Sequence, residues 1–206
     1  CKELFDDKTI LRLSKLLKHN SLDNQTKIYC CEIINNYLEH TFSKGLNNEE
    51  LKNCKDIIEN TGTSNELKTE VLRSILLTAE KAKDLPEQIV NSLVNNIDSL
   101  DEKTANFVVI TLGKICEKTP VINLDKLSSK LLDDQVVVDE RGDITFEQRS
   151  KDNLASPSIS SIVSKTFVES LQKGGKITEK GFDHLVSALD SNDKQTRILS
   201  AKALSI

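Results

Sequence analysis

Five cysteines, three histidines and 32 acidic side chains are the groups that could ligate a metal, relay a proton or attack an electrophile. The cysteines (Cys1, Cys30, Cys31, Cys54 and Cys116) are odd in number and include no CxxC pair. Adjacent Cys30 and Cys31 would point to different sides of a helix, so one ion cannot easily take both. They read as small buried hydrophobes in a reducing compartment. His19, His40 and His184 are far apart and none sits in a metal-ligand spacing, so surface or loop positions are expected for them. Acidic pairs such as Asp6-Asp7, Glu49-Glu50 and Asp133-Asp134 fall at helix ends, and those near helix starts complement the dipole or face water. There is no GxGxxG, no Walker sequence and no GxSxG. Gly174-Gly175-Lys176 has neither a preceding strand nor a spaced first glycine, and reads as a helix stop. Arg141-Gly142-Asp143 spells an integrin-type tripeptide of a kind that chance supplies often. The expectation is a chain with no catalytic, metal-binding or cofactor-binding residue, and not an enzyme.

Composition narrows the classes further. The apolar share is 37%, and even with glycine added it stays below the ~45–50% of compact globules. With 29% charged residues, this suits an elongated shape with much surface or a globule carrying a disordered piece, and 4% aromatics make a large aromatic cofactor pocket unexpected. A net charge of −4 argues against non-specific nucleic-acid binding, which needs clustered Lys and Arg to displace counterions. No run approaches the ~18 apolar residues of a membrane span, and the start carries no signal-peptide core. Intracellular, cytoplasmic placement is expected. The chain starts at Cys1, holds no methionine and stops inside an apolar pattern, which reads as a segment of a longer protein.

The elements that would position any of these groups are helices. Apolar positions recur at three- and four-residue intervals almost throughout. Asn47 with Glu50 looks like a cap with its reciprocal carboxylate, Pro86 and Pro157 fit first turns, and Pro120 ends a helix. Helices of about 11 to 17 residues with short loops invite a search for repeats. Thr26, Thr69, Thr104 and Thr196 serve as a common mark, separated by 43, 35 and 92 residues. Three positions past it stand Tyr29, Leu72, Phe107 and Leu199, of which Leu72, Phe107 and Leu199 are expected in the core. An apolar group lies about ten residues before each mark, so each unit is a helix, a polar turn and a second helix. The widest gap holds two units plus an insertion at residues 134–156, which removes 23 residues and leaves two units of ordinary length. Its VVVDERGDITF suggests a flexible loop or a short hairpin.

The terminal stretch LVSALDSNDKQTRILSAKAL resembles a HEAT or armadillo-type repeat, and four marked copies with one inferred copy extend the resemblance over most of residues 10–206. It implies an all-α fold: a right-handed α-α superhelix of about five helix pairs, one solenoid segment over residues 1–206 with the insertion inside it. It also implies a stacked polar ladder at the turns, formed here by Asp23 with Lys27 and by Asp193 with Arg197. Asp101 and the second unit depart from that acid–base spacing. The Ala/Leu stripe of the last helix would supply cohesion.

Function follows from architecture in this reading. The chain would be a scaffold binding protein partners along its second helices; the alternative is a non-catalytic helical accessory region of a larger enzyme. At 100° per residue, the ninth position past each mark points away from the apolar face. Asn35, Thr78, Gly113 and Ser205 stand there, flanked by Glu32, Glu39 and Glu117. The row resembles a shorter, less regular version of the polar row on which armadillo-like proteins hold an extended peptide by its backbone, and its acidic border would favour Lys- or Arg-bearing partners.

Overall fold

A short polar side chain precedes seven of the ten helices among the described residues and closes the first turn of each. Asp6, Asp23, Asn47, Ser64, Asp101, Ser158 and Asp193 each accept a backbone N–H two or three residues on, satisfying donors that a helix start leaves open. At Asn47 the reciprocal bond from its own N–H to Glu50 completes a capping box. The computed structural model describes residues 6–40, 44–116, 118, 124–132, 137–138, 144–145 and 158–206. Within these residues the fold is all-α apart from one small strand pair. The chain divides into two compact units, Cys1–Asn96 and Ile97–Ile206.

The first unit comprises α1 (Asp7–Leu16), α2 (Asn24–His40), α3 (Asn48–Glu59), α4 (Asn65–Lys81) and α5 (Glu87–Asn96). Helix α3 packs against both α1 and α5, while α2 packs against α4; α1 with α2 and α3 with α4 join the two layers. Leu17, Ile34, Leu38, Ile58, Leu67, Leu72, Ile75 and Leu93 fill the space between them, each almost without exposure.

The second unit repeats that logic. It contains α6 (Glu102–Ile115), α7 (Asp125–Ser128) running into a 3-10 turn, α8 (Ile159–Gln172), α9 (Glu179–Ser187) with another 3-10 turn, and α10 (Lys194–Leu204). Helix α8 lies between α6 and α10, and α7 packs against α9. Phe167, Leu112, Ile115 and Leu124 are its largest fully buried side chains. Strands β1 (Val137–Val138) and β2 (Ile144–Thr145) pair antiparallel, Val137 opposite Thr145 and Val138 opposite Ile144. The remainder of residues 134–156, with Arg141-Gly142-Asp143, lies outside the described residues.

The caps also correct the repeat register. Three residues past each cap stand Thr26, Leu67, Thr104, Ser161 and Thr196, so in α4 the mark is Leu67 and not Thr69. Counted this way, the fourth, fifth, eighth and ninth positions are buried in three helices: Cys30, Cys31, Ile34 and Asn35; Val71, Leu72, Ile75 and Leu76; Val108, Val109, Leu112 and Gly113. The third position is not the core position. Tyr29 is 56% exposed, and Phe107 and Leu199 are only half-buried. Leu72 is in the core because it is the fifth residue past its true mark.

Candidate interaction face

The row expected to be exposed is mostly a packing row. Asn35 is buried, and its amide donates to Glu70 O at 3.2 Å and Glu70 Oε2 at 3.0 Å while Ser74 Oγ donates to its Oδ1 at 2.6 Å. Thr78 is buried too; it donates to Ser74 O at 2.8 Å and accepts from Leu46 N at 3.1 Å. At buried Gly113 an added Cβ would sit 2.5 Å from Ile162 Cγ2 of α8. The physical reason is directional: in α2 and α6 the ninth position points at the following second-layer helix, α4 and α8. Small or polar side chains stand there because helices approach closely, which a single-helix wheel cannot distinguish from solvent. Ser205, just past the end of α10, is exposed and donates to Lys202 O at 2.7 Å. Glu32 and Glu39 are exposed, Glu39 held by Arg73 Nη2 at 2.7 Å. Glu117 lies outside the described residues.

The turn residues divide their work differently from the expected acid–base ladder. Asp23 accepts from Thr26 N at 2.7 Å and Thr26 Oγ1 at 3.2 Å, and these bonds hold its carboxyl below the usual range. Asp23 thus acts as a cap, with Lys27 half-buried in the first turn. Asp193 accepts from Gln195 N at 3.2 Å, Thr196 Oγ1 at 2.9 Å and Ser158 Oγ at 2.6 Å. Arg197 turns away, donating through Nη1 to Ser191 O at 2.6 Å and Asn192 O at 3.1 Å. One residue therefore starts the helix and the other closes the loop before it.

What joins α8 to α10 is a seam of hydroxyls that the sequence reading missed. Ser158 reaches Asp193, Ser160 pairs with Thr196 at 2.9 Å, and Ser164 pairs with Ser200 at 3.1 Å, every partner buried. The partners are 35 or 36 residues apart. That near-constant offset between Ser158-Ile-Ser160 and the DKQTRILS run was the available signal.

Among the described residues, several groups with chemical potential are buried or hydrogen-bonded within the fold. Cys30, Cys31, Cys54 and Cys116 are all buried. Burial raises the thiols of Cys30 and Cys31 and pushes Cys54 up to about 12, which keeps them protonated and poor nucleophiles. His184 Nδ1 lies 2.7 Å from Ser128 Oγ. The Ser128 hydroxyl already donates to Asp125 O at 2.6 Å, so the ring nitrogen serves as donor and does not activate a nucleophile. Lys68 is buried in α4, and desolvation lowers its pKa. Among the described residues no group of three His, Cys, Asp or Glu side chains is placed to hold a metal, and no helix is long and apolar enough to cross a membrane.

One exposed surface retains a distinct chemistry. Glu32 and Glu39 on α2 and Glu66 and Glu80 on α4 are exposed, with half-buried Glu70, Arg73 paired to Glu39, and Lys81 donating to Leu38 O on the same two helices. The helices are neighbours, so these acids form one face.

No family model matches the chain, and no curated protein matches it. Among solved structures it is similar to an engineered protein crystallised by the Northeast Structural Genomics Consortium, with 15% identity and a TM-score of 0.55, covering 98% of this chain and 79% of that one. A second engineered protein from the same consortium gives 14% identity and a TM-score of 0.49, over 98% of this chain and 47% of that one. At such identities the first likeness concerns the fold alone.

Proposed function

We propose that the chain is a protein–protein interaction scaffold, an α-solenoid segment of HEAT or armadillo type, which takes an extended or basic protein segment along its exposed second-layer helices. Fold class does not fix function; the observation that carries the proposal is the acidic face of α2 and α4. Those helices bury their small and polar contact row against each other and leave Glu32, Glu39, Glu66 and Glu80 outward. Charges arranged this way steer and select cationic partners more than they add raw affinity. The role is binding, not catalysis, and requires no cofactor.

The test is Glu32→Lys combined with Glu80→Lys, leaving the Glu39–Arg73 pair untouched. Binding of a Lys- and Arg-rich peptide should weaken at least about tenfold, a loss of ~1.4 kcal/mol, and its salt dependence should flatten. Equal affinity and equal salt dependence for parent and variant would remove the face from consideration.

A further inference from the structure

Among the described residues, the exposed large apolar side chains are confined to the first and last helix pairs. They are Leu16 on α1, Tyr29 on α2, Phe182 and Val186 on α9, Leu189 just after it, Ile198 on α10 and Ile206 beyond it. None lies on α3 to α8. Single exposed apolar residues need no explanation, but a grouped set does.

Their directions follow from contacts already described, since two residues along a helix turn the side chain by about 200°. His184 reaches Ser128 at the end of α7, and Phe182 and Val186 stand two residues either side of it, facing away from α7. Thr196 reaches Ser160 on α8, and Ile198 faces away from α8. At the other pair, Asn53 of α3 donates to Ser14 at 3.2 Å, and Arg12 and Leu16 point away from α3. Asn35 reaches α4, and half-buried Ile33 and Tyr37 point away from it beside Tyr29. The two outward faces are thus apolar, and each belongs to both layers.

Their margins carry opposite charge. The α9 stripe is bordered by exposed Glu179, Asp183 and Asp190, with exposed Lys180 on the same helix. The α1 stripe is bordered by exposed Lys8 and Arg12, with exposed Asp7 accepting from the Tyr37 hydroxyl at 2.8 Å. Helix α10 contributes Lys194, Arg197 and Lys202 with no acid, and α2 presents Glu32 beside Tyr29. Complementarity in both layers selects one occupant. We propose that the α9–α10 face of one molecule docks on the α1–α2 face of a second copy, first layer on first layer and second on second. The contact is heterologous, so it does not use up its own faces at two subunits and can add further copies. It shares only Glu32 with the acidic α2–α4 face of the scaffold reading, and the substitutions that test it change no residue of that face.

The experiment is sedimentation velocity of the full 206-residue chain across a concentration series. The average mass should rise with concentration and pass that of a dimer. Val186→Asp with Ile198→Asp should return a monomer, with circular dichroism confirming that the helices persist. The charge pair gives a second arm at exposed positions: Arg12→Glu or Asp183→Lys alone should weaken association at least about tenfold, and the two together in one chain should recover most of it. A monomer at every concentration, as when other segments cover these faces, would overturn the proposal. So would a mass that stops at a dimer, or association indifferent to all four substitutions.

Discussion

The seam between α2 and α4 and the seam between α8 and α10 solve the same packing problem with different side chains. In the first, the helices bury Ile28, Cys31, Leu38, Leu67 and Val71. Its polar members form a connected edge: Asn35 to Glu70 and Ser74, Arg73 to Glu39, and Lys81 to Leu38 O. In the second, the contacts run through Ser158, Ser160, Ser164, Thr196 and Ser200. Aliphatic burial contributes about 25 cal/mol per Å² removed from water but fixes no register. Paired hydroxyls contribute little net free energy each, yet each pair is satisfied in one register only. The first seam is therefore built for cohesion and the second for position. The expected Ala/Leu stripe of α10 fits this poorly: Ala203 is buried, but Ala201 is exposed and Leu204 half-buried, so Thr196 and Ser200 occupy the contact.

The largest effect expected lies beside the hydroxyl seam, where one large side chain compensates for many small ones. Phe167 in α8 is fully buried, and Phe167→Ala should cost ~3–5 kcal/mol. Phe107→Ala in α6 should cost clearly less, because that ring is only half-buried. Denaturant unfolding of both variants checks the ranking. Equal losses would restore Phe107 to the core and undo the corrected register.

That ranking also marks what the sequence made legible. Helices, the cap of α3 and the helix–turn–helix order were readable because each rests on local signals: Asn47 with Glu50, polar turns, apolar spacing of three and four. Register was less so. Thr69 matches Thr26 and Thr104 in type, but Ser64 sets the start of α4 and places Leu67 at the equivalent position. The interaction row failed for a related reason. A wheel shows that Asn35 and Gly113 leave one apolar face, but not that a neighbouring helix waits on the other side. The acidic border was partly legible: Glu32 and Glu39 are exposed as expected, while Glu66 and Glu80 emerge only once α2 and α4 are known to be neighbours.

Two smaller changes probe the aliphatic seam. Leu67→Ala removes a fully buried side chain from α4 and should cost ~2–5 kcal/mol. Gly45 takes φ of +88°, and an added Cβ would lie 2.7 Å from Thr78 Cγ2 and 3.1 Å from Thr78 Cα. Thr78 cannot retreat freely, since its hydroxyl holds both Leu46 N and Ser74 O. Gly45→Ala should therefore cost ~1–3 kcal/mol through strain in the left-handed region. A neutral Gly45→Ala variant in thermal unfolding would mean that the turn before α3 can move, and that Thr78 does not pin it.

The smallest expected effect discriminates best between the two seams. Ser164 and Ser200 are both fully buried, and their hydroxyls meet at 3.1 Å. Ser164→Ala or Ser200→Ala alone leaves the other hydroxyl facing a methyl group, and each should cost ~1–3 kcal/mol as the penalty of an unsatisfied buried group. If the surviving hydroxyl finds a carbonyl in the preceding turn of its own helix, the cost should fall towards ~0.5 kcal/mol. Replacing both removes the polar atoms together, so the double variant should be nearly as stable as the parent and more stable than the sum of the singles predicts. The coupling measured by the double-mutant cycle is the quantity of interest. Stability restored in the double variant, with α8 and α10 still protected in hydrogen exchange, would show that the pair sets register at little net gain in cohesion. Additive losses would make the hydroxyl seam as cohesive as the aliphatic one, and the contrast between the two regions would fail.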